Sequence, residues 1–363
     1  MRQNEQKTFR KRNTILTFIL LLVILILIFI LGSVIQKKYQ KRYAVISKDH
    51  ADVSAADSSE DATAEEENTI ELYLGDDEYA TTHRMESYLF MGTDASGNPD
   101  ASGEDYHGAM ADFLLLAVID HTDESYGFLQ INRDTMTEVT LLQPDGGNYA
   151  SAELQLCTAH WYGGDAKSSC ENAVEAVSGL LGELPIDGYY ALDMQAIPKI
   201  NHAVGGIEVT IEDDFSQSDP SLVLGTTVLL NDEQAYHYIH DRINVGDGEN
   251  VARMQRQKNY MDAMFEKVRD LQSKDQQFIL RMLNDLKDDA VTDMDLNKLA
   301  KSMQKVSHYQ STGVYQIEGK TKLGQALGDG LDHTEFYPDE TDKQEKLIQL
   351  YHLQKIEDDE EEE

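Results

Sequence analysis

From His50 onward the 363-residue chain uses arginine sparingly: Arg84, Arg133, Arg242, Arg253, Arg256, Arg269 and Arg281 are its full complement there. Arg242, Arg253 and Arg256 fall within residues 241–257 (DRINVGDGENVARMQRQ), beside an expected helix start. Arg133 closes an expected strand in the run Asn132-Arg133-Asp134-Thr135. A guanidinium meets phosphate oxygens with a planar fork of donors, and a helix N-terminus adds oriented N–H groups. Arginines gathered at strand and helix ends of an otherwise acidic domain therefore point to an anion site. Ion pairing with the abundant carboxylates is the plainer alternative for any one of them. Helical spacing puts Arg253 on a face with Arg256 or Gln257, which strengthens the cluster.

Two carboxylates stand at comparable places. Asp94 follows one expected strand in Gly92-Thr93-Asp94, and Asp112 opens the next. Magnesium takes one or two carboxylates together with substrate oxygens, so the pair is a candidate Mg²⁺ site; turn and capping chemistry is the alternative. Met254, Met261, Met264, Phe265 and Val268 recur at helical spacing. Such a stripe is ordinary core, or, beside a phosphate site, the wall of a pocket for a lipid chain, because methionine adapts to irregular shapes. The chain contains no zinc-type Cys/His spacing, Walker loop or Gly-x-Ser-x-Gly elbow.

The elements that must hold these residues alternate. Residues 87–92, 112–119, 126–131 and 137–142 read as strands, residues 151–162 have helical spacing, and Ser169 is placed to cap a helix ending before Gly182. A strand at 189–194, a short helix and a strand at 207–211 follow. Asn231 caps a helix reaching Ile239, and Asn250 opens a longer one to about Leu271. Strands interleaved with helices indicate an α/β layered domain. Beyond Asp275 come helices near 276–287 and 293–307 and a strand at 314–317, which either complete the main sheet or form an appendage.

Residues 14–35 carry no charge, and about 20 apolar residues cross a hydrocarbon core of about 30 Å, so a single transmembrane helix is expected there. No small-residue cleavage pattern follows it. Basic residues flank both sides, so charge bias is slight, and the short N-terminal arm is the natural cytoplasmic side. The net charge of −35 argues against unaided binding to nucleic acid. Residues 51–68 read as an acidic disordered spacer and the last residues as an acidic tail. Cys157 and Cys170 are close enough in sequence for a disulfide worth about 3 kcal/mol, or are two small buried hydrophobes.

Taken in order, Gly92-Thr93-Asp94, ADFLLLAVID, LQINRDT, HWYGG, LPIDGYYALDMQAI, HAVGGIEV and DR…ENVARMQRQ resemble the LytR–CpsA–Psr family, over about residues 88–267. The resemblance implies a three-layer α/β/α sandwich with a central mixed sheet, preceded by one transmembrane helix. It implies a phosphotransferase that moves a glycopolymer (teichoic acid, capsule or a related polymer) from a polyprenyl-pyrophosphate carrier to peptidoglycan at the outer face of the cytoplasmic membrane. By position, Asp94 and Asp112 correspond to residues near Mg²⁺. Arg133, Asp134, Arg242, Arg253 and Gln257 correspond to the catalytic set, with His240, Asn250, Arg256, Met254 and Met261 against the substrate.

The chain departs from the family pattern at Met110, Asn132, His240 and Asn250, and residues 95–107 look like an enlarged loop. These changes admit a second reading, a non-catalytic paralogue that binds polyprenyl phosphate as an envelope scaffold or regulator. The expected partition is a cytoplasmic arm (1–13), the span (14–35), a juxtamembrane segment and linker (36–80), the catalytic domain (81–272), a C-terminal extension (273–355) and the tail (356–363).

Overall fold

The structure, a computed structural model, describes residues 70–94, 108–143, 147–295 and 309–356. The expected membrane span, acidic spacer, enlarged loop and acidic tail, and nearly all of the helix expected at 293–307, lie outside the described residues. None of the described helices is long and apolar enough to cross a membrane.

Strands β1 (Ile70–Leu74) and β2 (Asp77–Thr81) form an antiparallel hairpin. Strands β3 (Met85–Thr93), β4 (Ala111–Asp120) and β5 (Ser125–Gln130) then run as an antiparallel meander. A second hairpin, β6 (Met136–Leu142) with β7 (Asn148–Gln155), leads into the short helix α1 (Thr158–Trp161) and into α2 (Ala166–Leu180). Strand β8 (Gly188–Asp193) returns parallel to β3. Next come α3 (Ile197–Val204), the hairpin β9 (Ile207–Thr210) with β10 (Thr227–Leu230), α4 (Asp232–His240), α5 (Asn250–Lys274) and α6 (Phe278–Leu286). The chain closes with β11 (Ala290–Thr292), β12 (Gln310–Gln316), the hairpin β13 (Gly319–Gly324) with β14 (His333–Pro338), α7 (Glu340–Tyr351) and β15 (Gln354–Lys355), which pairs with β2.

The central sheet has the order β11-β8-β3-β4-β5-β12 and is mixed, with β3–β8 and β5–β12 parallel. Its inner strands are apolar on both faces, as helices on both sides require. In β4, Leu115, Ala117 and Ile119 face one core with α3 to α6, while Leu114, Leu116 and Val118 face a second core with α2 and α7. The α/β/α layering follows from that alternation.

Several expectations change. The helical spacing of residues 151–162 gives way to strand β7 up to Gln155, because residues 148–155 pair along β6 and only the last turn remains helical. Helix α2 begins earlier than expected: its cap is Asp165, which accepts from Ser168 N while the Ser168 hydroxyl accepts from the Asp165 amide. The linker does not extend to residue 80, since Ile70, Leu72 and Leu74 bury one face of β1 in the second core. Nor is 273–355 an appendage: β11 and β12 are the two edges of the central sheet, and α7 buries Leu347, Leu350 and Tyr351 against it. Cys157 and Cys170 are both free thiols; the first meets Arg133, the second lies 3.6 Å from His160 Nε2.

Candidate active site

Asp112 reaches the site through a break in register. Gly92 pairs with Phe113 but Thr93 pairs with Ala111, so Asp112 is the extra residue of a β-bulge, a device that re-aims a side chain. The alternation of β4 is out of phase on its two sides: Phe113 packs with the first core and Ala111 with the second. The carboxylate released by the bulge meets two guanidiniums. Arg133 Nη1 donates to Asp112 Oδ1, and Arg253 Nη2 lies 3.0 Å from the same oxygen. Burial raises the Asp112 carboxyl, but Arg133 and Arg253 outweigh it and hold the group below its ordinary value.

Arg133 follows β5, and its Nε lies 3.4 Å from Asp134 Oδ1. Arg242, just past α4, puts Nη1 3.5 Å from Asp134 Oδ2, a buried oxygen that accepts no hydrogen bond. Burial holds the Asp134 carboxyl above its ordinary value, and Arg133, Arg242 and Arg253 offset this only in part. Burial is also the main cause that lowers Arg253, with the neighbouring Arg133 and Arg242 acting in the same direction. Three guanidiniums are therefore gathered around two carboxylates at the ends of β4, β5 and α4 and at the start of α5.

Beside this cluster the sheet and the helices leave a cavity of about 150 Å³. That is well beyond the water-sized voids of a packed core. Phe90, Gly92, Phe113, Leu115, Tyr190 and Leu192 form its sheet wall; α3, α5 and α6 supply Ile197, Ile200, Tyr260, Met261, Met264, Met282 and Leu286. A side chain at Gly92 would place its Cβ 2.6 Å from Met194 Sδ, so the missing side chain keeps this wall open. The wall residues Phe113 and Ile239 are neighbours in sequence of Asp112 and His240, and the wall residue Gln257 lies one helical turn from Arg253 on α5, which ties cavity and cluster together.

A family model described as "LytR_cpsA_psr family" matches residues 41–349, most of the chain. The chain belongs to the LytR_cpsA_psr family. It is 26% identical over 223 residues to the polyisoprenyl-teichoic acid–peptidoglycan teichoic acid transferase TagU of Enterococcus faecalis, covering 61% of this chain and 64% of that relative. The chain thus spans rather less than two thirds of the length of that curated relative. Among solved structures, protein gbs0355 of Streptococcus agalactiae superposes with a TM-score of 0.59 at 21% identity, covering 75% of this chain and 90% of that one. Bacillus subtilis TagV gives a TM-score of 0.56 at 20% identity, covering 74% and 98%. These likenesses are of fold.

The residues at which this chain departs from the LytR_cpsA_psr pattern all have partners at the site. Asn250 Oδ1 accepts from both Arg253 Nε at 3.1 Å and Nη2 at 2.8 Å, one oxygen shared by two donors of the guanidinium. Its Nδ2 donates at 2.7 Å to Asn132 Oδ1, which also accepts from the Asp134 amide at 3.0 Å. The two asparagines, far apart in sequence, are one joint. His240 lies between two carboxylates, with Nε2 2.9 Å from Asp94 Oδ1 and Nδ1 3.3 Å from Asp241 Oδ1. Its hydrogen bonds to Asp241 and then to Asp94 raise its pKa to about 9, so it is a cation at neutral pH. Met110 faces the cluster directly, its sulfur 2.9 Å from Arg133 Nη2.

Not every expected residue joins the site. Arg256 is fully buried and committed elsewhere: it donates to Asp213, to the Asp241 carbonyl and, at 3.0 Å, to the Tyr238 carbonyl, with its guanidinium 5.2 Å from the Phe215 ring centre. It clamps the end of α4 rather than meeting a ligand. Met254 is buried but is no wall of the cavity, whereas Met261 is. Asp94 is half exposed and engages His240, apart from the pair of arginines on Asp112. Gln257 accepts from Gln130 Nε2 at 3.2 Å and donates to the Ile239 carbonyl at 3.3 Å. Gln130 escaped the sequence reading, although a polar residue ending the apolar run YGFLQ is the kind of buried polar group that signals a role.

Proposed function

We propose that this protein is a membrane-anchored phosphotransferase that moves a glycopolymer, such as a teichoic acid or capsule polymer, from a polyprenyl-pyrophosphate carrier to peptidoglycan. The observation that carries the proposal is the adjacency of the Arg133, Arg242 and Arg253 cluster to an apolar cavity lined by Met261 and Met264. An amphiphile with an anionic head and a long apolar tail is the ligand class that needs both. The family, and a relative named for teichoic acid transfer, support the same class of donor and acceptor. Residues 14–35 are the anchor in this reading, with the N-terminal arm cytoplasmic and the domain outside.

Phosphoryl transfer depends mainly on positioning and charge stabilisation. Arg133 and Arg253 are pre-aimed by one Asp112 oxygen, and Arg242 by Asp134, so pyrophosphate oxygens meet donors already oriented. In formal charge, the three arginines and protonated His240 face Asp94, Asp112, Asp134 and Asp241, four cations against four carboxylates. A bound pyrophosphate then requires further positive charge. The hard oxygen donor Asp112, carried on the bulge, and the buried Asp134 Oδ2, which accepts no hydrogen bond, fit a divalent cation; Asp112, together with Asp94 once released from His240, would hold Mg²⁺. When bound, Mg²⁺ neutralises pyrophosphate charge and polarises a phosphoryl oxygen. Arg256 and the Asn132–Asn250 joint act on position: the first fixes the end of α4, the second the start of α5 against the Arg133 loop.

The test is transfer of a lipid-linked glycopolymer to peptidoglycan fragments by the purified full chain with Mg²⁺. Arg253→Ala is expected to slow transfer by about 100-fold or more. Transfer by that variant at the wild-type rate refutes the site assignment. Lipid-phosphate binding with no transfer by the wild-type chain would instead favour a non-catalytic binding paralogue.

A further inference from the structure

At the opposite end of β4 from Asp112, three segments distant in sequence bring His83, Asp120, Asp123 and His352 together. One ligand atom from each lies within 4.8 Å of all the others. His83 Nδ1 is 2.6 Å from Asp120 Oδ2, and His352 Nε2 is 3.5 Å from the same oxygen. The two imidazoles stack with ring centres 4.8 Å apart and planes 16° from parallel. Asp120 is buried, and its other oxygen is fixed by the backbone amides of Thr122 at 2.7 Å and Asp123 at 3.0 Å. Those amides orient the carboxylate, leaving Oδ2 directed at the two histidines; outer hydrogen bonds of this kind typically hold a metal ligand in place. His352 itself takes the left-handed conformation that ends α7, at φ 51°, which is uncommon outside glycine.

We infer that His83, Asp120, Asp123 and His352 form a second cation site, for zinc or a chemically similar divalent transition ion. Two imidazole nitrogens with carboxylate oxygens are a donor set of intermediate hardness, suited to zinc rather than magnesium or calcium. A tetrahedral ion with ligands at about 2.1 Å separates its donors by about 3.4 Å. The His352–Asp120 distance already matches that spacing, and the His83–Asp120 pair has to open by roughly 1 Å. Two neutral imidazoles and two carboxylates balance the charge of a divalent ion. With protons alone, two stacked rings must both donate toward one carboxylate oxygen. Asp123 is exposed and His83 and His352 are partly so, which leaves a path of entry.

The site's role is structural. Asp112 and Asp120 are eight residues apart on β4, roughly 25 Å at a strand's rise, so the ion is remote from the arginine cluster. It joins the turn before β3, the β4–β5 turn and the end of α7, whose Tyr351 already bonds Ser87 Oγ at 2.6 Å.

The full-length chain in detergent, stripped with EDTA and dialysed, is titrated with ZnCl₂ by calorimetry, and its Tm is read with and without the ion. The expected result is one ion per chain at micromolar Kd or tighter, with Tm raised by several degrees. Binding is expected to weaken by at least about tenfold in His83→Ala and in His352→Ala. MgCl₂ at the same concentration is expected to leave Tm unchanged. The wild-type titration stands as a test even if a variant folds poorly. No zinc-dependent rise in Tm overturns the inference. So does equal stabilisation by Mg²⁺, or undiminished binding in a variant carrying both His83→Ala and His352→Ala, either of which assigns the ion to the acidic surface at large.

Discussion

At the scale of single residues, the site is a set of matched charges in which the unusual side chains have partners. His240 is the residue whose behaviour most directly reports this. Folding raises its pKa from 6.5 to about 9 through Asp241 and Asp94. Between those values the folded protein binds more protons than the unfolded chain, so stability falls with rising pH across that window. The contribution of His240 is complete below about pH 6.5 and lost as pH passes through about 9. Urea denaturation of wild type and His240→Gln is therefore expected to show a stability gap near pH 6 that narrows by pH 9.5. A gap that is constant over this range would show that the imidazole is not held as a cation. Asn250 accepts two donors of Arg253 on one neutral oxygen, while Met110 brings a sulfur against Arg133.

At the scale of elements, each part of the site is delivered by a strand or helix end whose termination has a local cause. The bulge at the start of β4 delivers Asp112. Asn231 and Gln234 cap the start of α4 reciprocally, accepting from each other's backbone amides at 2.9 and 3.0 Å. The far end of that helix carries His240 and leads into Arg242. Asn231→Ala removes the cap and is expected to lower stability by about 1 kcal/mol, measured by denaturant midpoint at unchanged m. Transfer activity at a temperature well below the transition should survive, because Arg256 holds the functional end of α4 independently of its cap. A cap variant that loses activity while remaining folded would mean that α4 moves as a unit. The β6–β7 hairpin shows the opposite case, where residues 151–155 with helical spacing become strand because cross-strand pairing outweighs local periodicity.

At the scale of the whole molecule, two cores share one sheet, and the cavity lies in one of them. The face with α3 to α6 holds the cavity, while the face with α2 and α7 forms the second core. The C-terminal part of the chain belongs to this second core, since Leu347, Leu350 and Tyr351 of α7 are buried and Gly127 of β5 lies against Leu350. Deleting residues 340–363 would uncover that face. Burying a large apolar side chain contributes about 1.5–3 kcal/mol, so losing three exceeds much of a typical domain's net stability. The truncated protein is expected to be insoluble or cleaved rapidly by protease. A soluble truncation with an unchanged Tm would show that α7 is dispensable.

The sequence by itself determined the α/β alternation, the main strands of the sheet, the cap and span of α4, the start of α5, and the family. Those features depend on residues near one another in the chain, where side-chain period and capping chemistry act locally. It also singled out Arg133, Arg242, Arg253 and Arg256, because arginine is scarce enough elsewhere for its clustering to stand out, and separately the carboxylates Asp94 and Asp112. Tertiary structure alone decided the rest. It separated Arg256 from the cluster by giving its donors to Asp213 and to the Tyr238 and Asp241 carbonyls, and it excluded Met254 from the cavity wall. It joined Asn132 to Asn250 and brought His83, Asp120, Asp123 and His352 to one point. It also placed β11 and β12 at the edges of the sheet. Each of these depends on the meeting of side chains tens to hundreds of residues apart. No local period encodes such encounters; packing two cores on one twisted sheet does.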